Sequence, residues 1–234
     1  MRMYLVTGVS RGLGKATVEA LLDQGQRVIG IGRSNPFGDA IEFITCDFGD
    51  AEAVASMSFD ALEGDVTLIN NAGIIGEIGR ISELPSSSSD LEKVMQVNVF
   101  APMALTKKVY ASLSDDQKFR LVNISSGAAN RSIPAWASYC ASKAALNRLT
   151  ENFYLEEQEL GKDVTAYAVS PGVIDTGMQV EIRSADSASF SSKENFVKMK
   201  EEGALYSPEE AANRLLKLLS LPFDGDVFQD LRSV

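Results

Sequence analysis

A phenol and an amine stand four residues apart in the stretch SYCASKAALNRL, at Tyr139 and Lys143. On a helix that spacing puts them on one side, one turn apart. The apolar stripe of this helix runs through Leu146, Leu149 and Phe153, at about 340°, 280° and 320° around the axis with Tyr139 at zero. Lys143 then falls at about 40°, on the margin of the stripe. An ammonium beside a buried stripe is costly unless something pairs with it. Taken alone, the lysine either snorkels to water, as helix lysines commonly do, or is kept beside the phenol for proton chemistry.

The composition restricts what that chemistry can be. The 234 residues include no histidine. Ser-His-Asp and Cys-His catalysis and histidine metal sites are thereby excluded. Proton transfer falls to Tyr, Lys, Ser, Asp, Glu or water. Cys46 and Cys140 lack metal-ligand spacing, so no metal is expected and a reduced, cytoplasmic setting is. A net charge of −10 argues against a general grip on nucleic acid or an anionic membrane, while leaving room for a local basic pocket. No apolar run reaches a membrane-spanning length. The opening MRMYLVTG leads into a strand pattern without the features of a signal peptide.

A second constellation lies in TGVSRGLG, Thr7 to Gly14, with glycines at 8, 12 and 14. It falls between a predicted first strand and a predicted first helix. Glycines there permit a tight turn and a close backbone approach, and the following helix offers free N–H groups to a pyrophosphate. A plain strand-to-helix turn has the same look. The second strand ends IGIGRS, so Gly32 stands where a carboxylate would hold the ribose hydroxyl of NAD, and Arg33 follows. Arg11 lies inside the glycine loop. Two guanidiniums without a competing carboxylate suit a 2′-phosphate, and NADP(H) is the expected cofactor.

These groups need a scaffold, and the chain supplies strands and helices in alternation. Strands are predicted at 3–8, 27–32, 41–46, 66–73, 119–126, 164–172 and 226–231. Helices are predicted at 14–25, near 50–57, and at 86–113, 137–160 and 207–220. Gly25 is the expected stop of the first helix. Ser89 and Glu92 have capping-box spacing, and Ser207 with Pro208 reads as N-cap and first helical residue. The expectation is one α/β domain over 1–234, a doubly wound parallel sheet of about seven strands with helices on both faces. Segment 178–204 reads as irregular and polar. It follows a strand's carboxyl end, where it is either a substrate lid or an ordinary insertion.

With NNAG (70–73), NISS (123–126) and SPGVIDTGM (170–178), the motifs stand in the order found in short-chain dehydrogenases/reductases, which the chain resembles over essentially its whole length. ISSGAANRSIPAWASYCASKAALN together with SPGVIDTGMQVEIR further resembles the sepiapterin reductase and benzil reductase branch. The resemblance implies a Rossmann-type fold and a role for each matched position. Ser126, thirteen residues before Tyr139, matches the catalytic serine, and Ser125 beside it is then structural. Tyr139 matches the proton donor, Lys143 its helper, and Asn98 in QVNVF the holder of a water relay. Gly8, Gly12 and Gly14, with Ser10, Arg11 and Leu13 among them, match the pyrophosphate loop. Asp47 and Phe48 match the adenine end, and Asn71, Ala72 and Gly73 the adenosine ribose. Val173 and Thr176, with Pro171 and Gly172 before them, match the nicotinamide end. Asp175 departs from common family patterns and is expected to point away. Trp136 and Met178 either line an apolar substrate pocket or simply pack. A homodimer or homotetramer is implied by analogy.

The chemistry so implied is carbonyl reduction. The cofactor carries the hydride. Ser126 would orient the carbonyl oxygen and Tyr139 would protonate it. The ammonium of Lys143, which can also reach ribose hydroxyls, and the positive nicotinamide are expected to lower the phenol's pKa from about 10. The expected function is NADPH-dependent reduction of a small ketone or diketone to an alcohol. The alternatives are an NAD(P)+-dependent alcohol dehydrogenase and a dinucleotide-binding sensor without turnover.

Overall fold

The computed structural model describes residues 2–60, 62–84 and 89–234. Short runs of β-branched and aliphatic residues, punctuated by glycine and polar turns, form seven strands. These are β1 Arg2–Thr7, β2 Arg27–Gly32, β3 Glu42–Thr45, β4 Asp65–Asn70, β5 Phe119–Ile124, β6 Val164–Ser170 and β7 Phe228–Asp230. They make one sheet in the order β3-β2-β1-β4-β5-β6-β7, with every pair parallel. The described helices are α1 Gly12–Asp23, α2 Ala51–Ser56, α3 Ser89–Met95, α4 Ala101–Tyr110, α5 Ala137–Glu159, α6 Gly177–Ser184, α7 Lys193–Glu201 and α8 Pro208–Ser220. None is long and apolar enough to cross a membrane.

The alternation of side chains along each strand builds two cores. Leu5, Leu68 and Leu121 stand abreast in register and bury against Leu105 and Val109 of α4, with Phe153 of α5 packed beside them. One residue on, Val6, Ile69 and Val122 stand abreast and bury on the other face against Leu21 of α1 and Leu215 of α8. Because both faces are covered, the strands are apolar almost throughout, as parallel sheets require. The strand order turns back between β1 and β4, and the carboxyl edge at that point is where such sheets bind ligands.

Three features differ from the sequence expectation. The helix expected over 86–113 is interrupted: Gln96–Phe100 forms one π-helical stretch between α3 and α4, and residues 85–88 and the side chain of Ser89 lie outside the described residues. Segment 178–204 is not irregular. It folds as α6 and α7, because Ile182 and Phe190 give it residues to bury, at 1% and 0% exposure. The last strand is shorter than expected, Phe228–Asp230. Both helix signals act as expected. Gly25 stops α1 in the left-handed region at φ +68°, and the Ser207 hydroxyl accepts from the Glu210 N–H at 3.1 Å.

Gly14 shows how closely α1 sits on the first turn. A Cβ there would lie 2.3 Å from the carbonyl oxygen of Gly8 and 2.4 Å from Nδ2 of Asn71. Both are pinned, the Gly8 N–H to the carbonyl of Ile31 at 2.9 Å and Asn71 Nδ2 to the carbonyl of Thr7 at 2.9 Å. Gly14→Ala is expected to cost about 2–3 kcal/mol of unfolding free energy. Urea unfolding with an unchanged midpoint would show that the loop gives way instead.

Candidate active site

The site begins where β1 and β4 leave the sheet. Thr7 Oγ accepts from the N–H groups of Asn71 and Ala72, both at 2.9 Å, and Asn71 Nδ2 donates to the carbonyls of Thr7 and Gly8. The two strand ends are thereby tied together. Gly8 and Gly12 adopt φ +72° and +56°, which a side chain would resist. Arg11 occupies the N-cap of α1 without a side-chain cap bond, so the helix's first N–H groups stay available to an anion.

The second half is the seam between β5 and α5. Lys143 Nζ donates to the carbonyl of Ile124 at 2.8 Å and lies 5.8 Å from the ring centre of Tyr139. The Ser126 hydroxyl accepts from the Ala128 N–H at 3.1 Å and stands near enough to the Tyr139 phenol to lower its pKa. Ser125 Oγ donates to Asn147 Oδ1. Lys143 and Tyr139 are only 4% and 7% exposed.

Both halves line one cavity of about 750 Å³, within the usual size of a small-molecule or cofactor site. On its wall stand Gly8, Ser10, Arg11, Gly12 and Leu13 from the glycine loop, and Arg33 after β2. Asp47 and Phe48 follow β3, and Asn71, Ala72 and Gly73 follow β4. Ser126, Tyr139 and Lys143 are joined by Pro171, Gly172, Val173 and Thr176 after β6, with Trp136 and Met178 beside them. Of the residues singled out in the sequence, Gly14 and Asn98 are off the wall. Gly14 packs behind the loop. Asn98 is fully buried in the π-helical stretch. Its amide donates to the Ile74 carbonyl at 2.9 Å and the Ser142 hydroxyl at 3.0 Å, and its Oδ1 accepts from the Ile74 N–H at 2.9 Å. The side chain braces the segment after β4, and neither amide hydrogen is left for a water.

Arg11 and Arg33 are exposed and, among the described residues, take part in no ion pair. Asp47 uses its Oδ1 to accept from the Gly49 N–H at 2.9 Å. Asp175 points away from the cavity as expected, paired with Arg183 of α6 at 3.8 Å and with Lys200 of α7. Trp136 both packs and lines the cavity. It stacks on Phe190 and Phe196, with ring centres 5.5 and 5.3 Å away, and meets Tyr139 edge-on at 5.7 Å. Before it, Ala135 holds φ +69°, the one positive φ outside glycine among the described residues.

The electrostatics correct one expectation. Burial pushes the Tyr139 phenol up to about 12, and Ser126 only partly opposes this. The net shift is upward, not downward as expected, because dehydration outweighs the pull of an ammonium 5.8 Å from the ring centre. Burial lowers Lys143 itself to about 8. The sequence reading missed three contributors: Thr7, Asn147 and Phe196. Asn147 could have been found from its position eight residues after Tyr139, on the same helix face.

Comparison with known proteins agrees with this geometry. The family model described as short chain dehydrogenase matches residues 2–187. The chain is 34% identical over 245 aligned positions to a benzil reductase, (S)-benzoin forming, of Bacillus subtilis, covering 99% of each. It is 32% identical to the enzyme of that name from Bacillus cereus, covering 94% of each. A crystal structure of a short chain dehydrogenase/reductase from Saccharomyces cerevisiae superposes with a TM-score of 0.85 at 29% identity, covering 99% of this chain and 96% of the other.

A lysine titrating near 8 should be directly visible. In a carbon-13 NMR titration of labelled lysines, one Cε resonance is expected to move near pH 8 and to be missing from Lys143→Met. All lysines titrating together near the ordinary 10.5 would overturn the burial argument. The folded value lies below the unfolded one, so the unfolded chain binds more protons between about 8 and 10.5. This group's burial penalty is full below that window and relieved as pH rises through it.

Proposed function

The chain belongs to the short-chain dehydrogenase family, and on that premise we propose that it reduces the carbonyl of a small ketone or diketone to an alcohol with NADPH. The observation that carries this reading is the meeting of Tyr139, Ser126 and Lys143 on the wall of the cavity that the glycine loop also lines. Arg11 and Arg33, in no ion pair among the described residues, favour a 2′-phosphate. The apolar wall of Trp136, Phe196 and Met178 favours an aromatic substituent, and the benzil reductases among the relatives point to a diketone of that kind.

The residues fit a dinucleotide. The glycine loop leaves space that a side chain would fill: a Cβ on Gly12 would lie 3.1 Å from Cγ2 of Thr176. When bound, the nicotinamide supplies the hydride. Ser126 and Tyr139, which stand close enough for the serine to lower the phenol's pKa, would share the substrate oxygen. Two donors on that oxygen stabilise the negative charge that develops as the carbonyl is reduced. The phenol is protonated at neutral pH and can give up its proton. Lys143, above the ring, favours the phenolate left behind. Helices α6 and α7 would close over the substrate, which excludes water and strengthens each of these contacts. The enzyme is cytoplasmic in this reading and assembles as a homodimer or homotetramer, through the α4 and α5 faces that expose Phe100, Met103 and Leu155.

An NADPH-oxidation assay over diketones, pterins, quinones and sugar ketones is expected to give turnover with aromatic diketones; silence across the whole panel would remove the reading. Tyr139→Phe should lower kcat by about 10³-fold, as expected for loss of a general acid, while NADPH titrations give an unchanged Kd. A near-normal rate would mean that another group donates the proton. Arg33→Ala should weaken NADPH by about tenfold or more and leave NADH unaffected, since a charge-assisted contact contributes about 1.5–3 kcal/mol. Equal losses for both cofactors would cancel the 2′-phosphate argument.

A further inference from the structure

Three consecutive residues, Asn123 to Ser125, are each held by α5, and Ser126 follows them. Asn123 Nδ2 donates to Thr150 Oγ at 2.7 Å. Lys143 Nζ donates to the carbonyl of Ile124. Ser125 Oγ donates to Asn147 Oδ1, and the Ser126 hydroxyl stands near the Tyr139 phenol. Tyr139, Lys143 and Asn147 recur every fourth residue, so one helix face carries all three. The chemistry above uses the first two and gives Asn147 no task. Yet Asn147 and Ser125 are 8% and 4% exposed, and both line the cavity.

We propose that Asn147 is a positioning residue for carbonyl reduction: through Ser125 it fixes the aim of the Ser126 hydroxyl at the substrate oxygen. The proposal rests on Ser126 orienting that oxygen. The Ser125 N–H is bound to the carbonyl of Val169 at 2.7 Å, so the sheet holds its main chain on one side. Its hydroxyl is the link to α5 on the other. A buried hydroxyl needs an acceptor, and the amide oxygen of Asn147 provides one without adding a charge beside Lys143. Ser126 comes immediately after this anchor, where the chain leaves the sheet. It has no sheet bond of its own: its hydroxyl accepts from the Ala128 N–H and its carbonyl from the Ala129 N–H, both in the short turn that follows. Loss of the anchor frees the serine to drift, and a displacement of about 1 Å can cost up to about 10²-fold in rate.

The test is a double-mutant cycle with benzil and NADPH, together with a crystal structure of the Asn147→Ala variant. Asn147→Ala and Ser125→Ala are each expected to lower kcat by about tenfold with NADPH affinity unchanged, and the pair together to do no worse than either. Ser125→Thr, which keeps the hydroxyl donor, should recover most of the rate. In a Ser126→Ala background Asn147→Ala should have no further effect, because the group it aims is gone. In the crystal, Ser126 Oγ should be displaced from Tyr139. The same tenfold loss on top of Ser126→Ala would mean a merely structural asparagine and would overturn the proposal alone. Ser126→Ala at full rate would overturn the role of Ser126, and the proposal with it. Absence of benzil turnover by the wild type would remove the diketone reading only, since the crystal still decides whether Ser126 moves. If Asn147→Ala does not fold, Ser125→Ala cuts the same hydrogen bond from its other end and decides by the same criteria.

Discussion

A lysine ammonium sits inside this fold with no carboxylate paired to it among the described residues. Lys143 is 4% exposed, and its hydrogen-bond partner in the structure is the backbone carbonyl of Ile124. Burial of a charge answered only by a neutral dipole is unfavourable, and the lowered pKa of the amine expresses that. The rest of the structure is arranged to sustain it. Helix α5 is 23 residues long and packs on β5 and β6. Strand β5 is paired on both sides, with β4 and β6. The carbonyl that receives the ammonium thus belongs to a strand held on both edges. Tyr139 shares the helix face with Lys143, and Ser125 follows Ile124 directly, so both lie beside that contact.

Around this rigid seam the cover is held differently. Asp175 ties the chain after β6 to Arg183 and Lys200. Arg80 donates to the carbonyl of Ala188, and Ser189 donates to Glu83. These are exposed polar links, individually weak and sensitive to salt. Beneath them Phe190 and Phe196 stack on Trp136, an apolar contact that salt does not weaken. The segment is thus attached by an apolar centre and a polar fringe that respond differently to salt.

Much of this was legible in the sequence, for physical reasons that also explain the omissions. Strands buried on both faces must be apolar throughout, which is why β1, β4, β5 and β6 stood out. Glycines that need left-handed backbone or bare surface, such as Gly8 and Gly25, have no substitutes and so mark their turns. The phenol and amine were visible because helix spacing is regular. Helices α6 and α7 were not, since their buried rings, Phe190 and Phe196, are single apolar residues among serines and charges, and periodicity cannot distinguish them from surface phenylalanines. The π-helical stretch around Asn98 has no residue signature, because one wider turn changes which partners meet without changing composition. Asn147 drew no reading at all, since its partner lies 22 residues away on another element. The phenol's pKa was misjudged for a related cause: charge proximity can be counted along a helix, whereas the extent of dehydration depends on everything packed above it.

Trp136 is the only tryptophan in the chain. It touches the ring of Tyr139 on one side and the rings of Phe190 and Phe196 on the other. All indole emission from this protein therefore originates at one point on the cavity wall, between these rings. The molecule carries an unlabelled optical gauge, whose colour and quenching register what enters the cavity and how the rings above it respond, in real time and without a reporter group.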